Sequence, residues 1–211
     1  MTPGSVSELV RAQMERLGLP YSLDVAEAYA EELEILAPPA RVAFAAAASE
    51  RLLRHLEAQP AEEREADPED WRDLQDAIWE ALAGAEDAAL AVRTSVVEIG
   101  EDYTEEHDVD AVAAVLYTGQ ALAYEDAEAV ILAAERALDA ATLRADEDLS
   151  TVIRPQRLGS VAPPDLHPET RLAAHPEVQG EIRMQRADLD LLLREGITSE
   201  VLARLRGEPR T

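Results

Sequence analysis

The residues between Glu101 and Asp110 form a dense group of potential metal ligands. This ten-residue run, EDYTEEHDVD, contains six carboxylates and one histidine. His107 and Asp110 stand three positions apart, so on a helix their side chains would share one face and could bind the same metal ion. The spacing therefore makes His107 and Asp110 a candidate metal site.

The same run is also typical of the start of a helix. Asp102 and Glu105 have the spacing of a capping arrangement, and Asp108 can cap a helix that begins at Val109. Acidic side chains at a helix start are further stabilised by the positive end of the helix dipole. We therefore predict that the run mainly begins a helix, and the metal site is the alternative.

Other residue types that carry chemistry lack the patterns that catalysis needs. The sequence has no cysteine, and its nine glycines are scattered singly rather than forming a phosphate-binding loop. No serine lies in the strand–turn–helix context of a hydrolase nucleophile. His167 and His175 each precede Pro-Glu, which predicts two helix starts, with a metal site shared with Asp165 as the alternative. His55 lies near the end of a helix and is predicted to be structural or exposed. We predict no catalytic residues and no cofactor.

Two pairs of residues are candidates for binding a protein partner. Glu50 and Arg51 are adjacent charges in an otherwise apolar helix. Either they form an ion pair that fixes how this helix packs, or they contact a partner. Trp71 and Trp79 are eight positions apart on one helix and so share roughly one face. They pack in the core in one interpretation and anchor a partner in the other.

The charge balance is strongly acidic. There are 44 aspartates and glutamates against 19 basic residues, all of them arginine, for a formal net charge of -25. Such a charge repels phosphate backbones and anionic lipid surfaces, so we expect no direct binding of nucleic acid or membranes. The absence of lysine and asparagine, whose codons are AT-rich, indicates a GC-rich genome. The acidity itself also fits a salt-adapted protein or one that binds a basic partner.

The pattern of apolar residues predicts an all-α protein: a single bundle of about seven to nine helices over residues 1–211. Residues 1–28 are predicted to add helices at the N-terminus, and the alanine-rich run after Pro38 and Pro39 to form a central helix. Helices over about 109–124 and 126–144 should be antiparallel neighbours. Residues 145–176 contain five prolines and no clear period, which predicts a long connection. No signal peptide or membrane-spanning stretch is recognisable, so we expect a cytoplasmic protein.

Several helical motifs resemble the YjaG-like bacterial family of unknown function (DUF416-type). They are YAEELEILAPPARVAFAAAASERLLRHLEA at 29–58, LQDAIWEAL at 74–82, the paired helices over 108–144, and HPEVQGEIRMQRADLDLLL at 175–193. The resemblance spans about residues 29–205. It implies an all-helical fold of this size and supplies no catalytic residues.

Together these observations favour a non-catalytic acidic protein that binds another protein, as immunity proteins do, or that docks on a basic partner. The first alternative is a metal-dependent helical enzyme, whose ligands would come from facing helices. The second alternative is a helical homodimer with a structural role.

Overall fold

The computed structural model describes residues 6–19, 25–64, 66–102, 109–152 and 166–207. These ranges form helices and no strand, so the all-α prediction is confirmed for them, although their ten α-helices exceed the predicted seven to nine. The helices are α1 (Val6–Leu17), α2 (Val25–Ile35), α3 (Pro38–Ala58), α4 (Glu69–Leu82), α5 (Glu86–Asp102), α6 (Asp110–Tyr124), α7 (Ala127–Val152), α8 (Pro168–Ala173), α9 (Pro176–Glu195) and α10 (Ser199–Leu205). A short 3-10 turn, Ala61–Glu63, precedes α4.

Helix α3 is the centre of the bundle. It begins at the predicted proline pair and contacts α4, α6, α7, α9 and α10. The side chains of residues 45–48, all alanine, are fully buried, and Phe44 beside them is 1% exposed. Small side chains let neighbouring helices approach closely, so one helix can serve as the packing surface for several others. The sequence prediction of a central alanine-rich helix is confirmed.

The antiparallel pair α6 and α7 forms the main partner of α3. Glu125 links the two helices with a left-handed backbone (φ 56°), and Asp126 Oδ1 accepts a hydrogen bond from the amide of Glu128 at 2.9 Å. Such a short link obliges the two helices to lie side by side, as the sequence predicted.

Helix α7 is longer than predicted. It runs to Val152, beyond the predicted end at Arg144, and α8 forms a further helix inside the predicted connection 145–176. Leu138, Ala141 and Ala145 are all buried, so the inward face continues through small side chains that leave little apolar periodicity in the sequence. The remainder of that connection, 153–165, lies outside the described residues.

The N-terminal helix packs on this late part of the chain. Val10 and Met14 of α1 are fully buried together with Ala173 of α8, in a small cluster separate from the main core. Gln13 supports the contact, because its Oε1 accepts a hydrogen bond from the amide of His167 at 3.0 Å. The predicted additional N-terminal segment 1–28 thus contains α1, which docks through α8, and the start of α2.

Gly119 of α6 is a site of close approach between helices. A Cβ atom added there would lie 2.8 Å from Cγ2 of Val96 on α5, whereas one added at Gly180 of α9 would meet nothing within 4 Å. Overpacking costs about 1–3 kcal/mol, and replacing a helical glycine with alanine gains about 0.5–1 kcal/mol. We expect Gly119→Ala to lower the free energy of unfolding in a denaturant titration and Gly180→Ala to raise it. Equal stabilisation by both changes would show that the Val96 side chain can shift away from the added Cβ atom without lowering the free energy of unfolding.

Candidate functional site

Glu50 is a buried carboxylate in α3 that several donors surround. Its side chain is 3% exposed, and it accepts hydrogen bonds from Arg54 Nε at 2.7 Å, Arg72 Nη1 at 3.0 Å and Trp79 Nε1 at 3.1 Å. Burial acts to raise the pKa of Glu50, but the hydrogen bonds from Arg54, Arg72 and Trp79 outweigh it and hold the pKa below its ordinary value. The carboxylate therefore stays ionised and ties α3 to α4.

Arg51 belongs to a second charged cluster on another side of α3. It binds Glu181 through two bonds, Nη2 to Oε1 at 2.7 Å and Nε to Oε2 at 3.2 Å, and its Nη1 donates to Asp188 Oδ2 at 2.6 Å. Gln185 Nε2 also donates to Glu181 Oε1 at 3.1 Å. This cluster ties α3 to α9.

The pairing of Glu50 with Arg51 that their adjacency indicated is therefore absent. Successive residues on a helix point about 100° apart, so each side chain meets a different neighbouring helix. The structural interpretation still describes them better than a partner contact, because both make their hydrogen bonds inside the bundle. The charged partners come from α4 and α9, at sequence positions that adjacency could not reveal.

The two tryptophans of α4 also face inward to different degrees. Trp79 is 3% exposed and donates its hydrogen bond to Glu50, whereas Trp71 is partly buried against the core. As placed, Trp79 is not available to an outside partner. Trp71 retains some exposed surface.

The predicted metal ligands lie at the edge of the described part of the chain. His107 lies outside the described residues. Asp110 begins α6, and its Oδ1 is 3.6 Å from Arg136 Nη1, so at this position it has a cationic partner. No group of three histidine or carboxylate side chains that could hold a metal ion occurs within the described ranges.

His167 and His175 act as helix caps. The Nδ1 atom of His167 accepts from the amide of Glu169, and that of His175 from the amide of Glu177, each at 3.4 Å. They begin α8 and α9, as the His-Pro-Glu repeat predicted. The third residue of the alternative metal site, Asp165, lies outside the described residues.

A polar cleft lies between the second half of α3, the start of α6 and α7. Its volume is about 360 Å³. We call it the α3–α7 cleft; its lining residues are Leu52, His55, Leu56, Gln59, Glu63, Val109, Asp110, Ala111, Ala140, Leu143, Arg144 and Glu147. Asp110, predicted as a metal ligand, is thus one of the residues that line this cleft.

His55 is the titratable base of the α3–α7 cleft. Partial burial and the nearby charge of Arg144 lower the pKa of His55, and Glu177 partly opposes them. The imidazole is therefore neutral at pH 7, with one nitrogen able to accept a hydrogen bond and the other able to donate one. A cleft of this kind can bind a polar ligand with an aliphatic part.

Sequence reasoning missed this cleft. Arg144 and Glu147 are three positions apart on α7, which shows only that they share a face. His55 and Gln59 are four positions apart at the end of α3. Nothing in the spacing indicates that these two faces meet, because the contact depends on how α3 packs against α7.

Comparison with known proteins gives one fold relationship. No family model matches the sequence, and no curated protein matches it significantly. A crystal structure of a DUF416 family protein from Shewanella baltica OS155 is similar in fold, with a TM-score of 0.57, 16% sequence identity, and coverage of 84% of this chain and 90% of that chain. The resemblance that the helical motifs indicated is thereby confirmed at the level of fold: this chain has the fold of a DUF416 family protein.

Proposed function

We propose that this protein is a divergent DUF416-type protein that binds a basic protein partner through its acidic surface and catalyses no reaction. The observation that carries the proposal is the net charge of -25. A charge of this size steers oppositely charged proteins toward the surface and repels nucleic acid.

The use of arginine inside the fold supports this proposal. Arg51, Arg72 and Arg206 each lie within hydrogen-bonding distance of carboxylates of the same chain, and Arg54 binds Glu50. Arg41 and Arg64 instead donate to backbone carbonyls. Much of the positive charge is thus engaged within the bundle.

The outer side of α4 is an acidic surface without such partners. Glu69, Asp70, Asp73 and Glu80 are exposed, and among the described residues they form no ion pair. Positions 69, 73 and 80 share one face of the helix, opposite buried Ile78. We call these four residues the α4 acidic face, and a basic partner would be attracted to it.

An affinity capture from a lysate of the native host tests the proposal. We expect a basic protein to be recovered in near-equal amount at low salt and to be released at moderate salt, because the screening length falls from about 30 Å at 0.01 M to about 8 Å at 0.15 M. The variant with Glu69→Gln, Asp70→Asn, Asp73→Asn and Glu80→Gln should lose this protein.

A variant of equal charge separates the α4 acidic face from general acidity. Glu15, Glu31, Glu34 and Asp146 are also exposed, and changing these four to their amides removes the same charge from α1, α2 and α7. This control should keep the partner. Equal loss in both variants, or no protein captured at either salt, contradicts docking on α4. Light scattering of the purified protein would show separately whether it forms a homodimer.

A further inference from the structure

The α3–α7 cleft has an aliphatic wall. Leu52, Leu56 and Ala140 are buried behind it, whereas Leu143 at its edge is 58% exposed. Ligand sites generally combine such apolar walls with a few polar groups, and volumes start near 300 Å³. The volume of about 360 Å³ is therefore enough for a ligand of the size of an amino-acid side chain or a short diamine.

The charges around the cleft are unevenly compensated. Arg144 Nε lies 3.7 Å from Glu177 Oε2, and Asp110 lies 3.6 Å from Arg136. Two other lining carboxylates, those of Glu63 and Glu147, have no ion pair among the described residues. The cleft therefore carries excess negative charge, which would attract a cation.

The neutral polar groups of the cleft suit the same ligand. His55 is held neutral by partial burial and by Arg144, so it adds no positive charge and offers a nitrogen acceptor. The side-chain amide of Gln59 supplies a carbonyl oxygen. An ammonium or guanidinium group, which has only donors, could be satisfied by these acceptors together with the carboxylates.

An anionic ligand fits the cleft less well. Arg144 is the one cation among the described lining residues, and it is already beside Glu177. Three lining carboxylates, Glu63, Asp110 and Glu147, would repel a second anion.

From these observations we infer that the α3–α7 cleft binds an organic cation: an ammonium or guanidinium group on an aliphatic stem. The stem packs against Leu56 and Leu143, and the cationic end lies between Glu63 and Glu147. This site is separate from the α4 acidic face. The cation is either a free small molecule or a lysine or arginine side chain of another protein.

Calorimetric titration of the full chain tests this inference with four probes. Cadaverine and agmatine represent free cations, a lysine residue blocked at both ends represents a protein side chain, and glutarate is an anion of similar length. We expect saturable binding of at least one cation and none of glutarate. If only the blocked lysine binds, the cleft takes a side chain; if only the free amines bind, it takes a small molecule.

Two neighbouring residues of α7 provide a matched pair of variants. Glu147 lines the cleft, whereas Asp146, which is also exposed, does not. Glu147→Gln should weaken cation binding roughly three- to tenfold, since it removes a charge-assisted hydrogen bond, and Asp146→Asn should leave binding unchanged. Thermal unfolding of both variants checks that they remain folded. The inference is overturned if no cation binds, if glutarate binds as tightly, or if the two variants weaken binding equally.

Discussion

Replacing Arg51 with methionine should lower the free energy of unfolding at pH 7 by about 3–5 kcal/mol, because removing one member of a buried ion cluster leaves uncompensated charge. Arg51 is 22% exposed and binds Glu181 and Asp188, which are 6% and 18% exposed. Without the guanidinium, two carboxylates on one face of α9 lose their shared cation in a partly desolvated space between helices. Methionine retains much of the aliphatic stem, so the loss reports on charge more than on packing.

Arg186→Met is the matched control for this change. Arg186 also binds two carboxylates, Glu32 at 2.8 Å and Asp190 at 2.7 Å, but it is 44% exposed. Exposed ion pairs contribute only about 0–1 kcal/mol, so this variant should stay close to wild type in urea titrations. If the free energy of unfolding falls by a comparable amount in both variants, burial is not the reason why the Arg51 cluster stabilises the fold.

The pH dependence gives a second readout of the Arg51 cluster. Burial raises the pKa of Asp188 above its ordinary value of 3.8, although Arg51 acts to lower it. Removing Arg51, which acts to lower the pKa of Asp188, should raise that pKa further. A raised pKa in the folded state means that the folded protein binds protons more readily, so the variant is stabilised as pH falls. The difference in stability between wild type and Arg51→Met should therefore narrow between pH 7 and about pH 5.

Replacing Glu50 with glutamine should cost about 3 kcal/mol, near the lower end of the range for breaking a buried pair. The amide cannot balance the charges of Arg54 and Arg72, and one of its ends would present hydrogens to donors that now meet an oxygen. The cost stays moderate because Arg72 keeps Glu57 at 2.7 Å and Arg54 is 47% exposed. Chemical denaturation at pH 7 measures it.

Glu57→Gln is the control within the same cluster. Glu57 also binds Arg72, but it is 37% exposed, so its replacement should cost less than about 1 kcal/mol. The pKa of Glu50 lies below its ordinary value of 4.5, so its stabilisation is present above that pH and is lost as pH falls through the pKa in the folded state. The difference between wild type and Glu50→Gln should therefore shrink below about pH 4.5. If the stability difference persists below that pH, the effect of the substitution comes from side-chain shape rather than from charge.

The Glu50 and Arg51 clusters show which residues are poor choices for a test of partner binding. Four residues were the sequence candidates for partner contact, and three of them, Glu50, Arg51 and Trp79, make their polar contacts inside the bundle. Changing them would destabilise the protein and reduce any binding indirectly. Tests of binding are cleaner at the α4 acidic face and at the α3–α7 cleft, where exposed carboxylates can be changed with little effect on folding.

The helices followed from local signals. Pro38 and Pro39 start α3, Asp67 Oδ1 accepts from the amide of Glu69 near the start of α4, and Thr198 Oγ1 accepts from the amide of Val201 to cap α10. Capping and proline effects depend on a few neighbouring residues, so a sequence shows them directly.

The described helices include none that is long and apolar enough to cross a membrane.

By itself, the sequence determined the helical class, most helix positions, the central alanine-rich helix and the acidic charge, because each depends on composition or on spacing along one helix. Only the tertiary structure decided that Glu50 meets Arg72 while Arg51 meets Glu181, and that His55 and Glu147 line one cleft. Those contacts join residues far apart in the chain. They depend on the rotation and crossing of packed helices, which the pattern within any single helix does not specify.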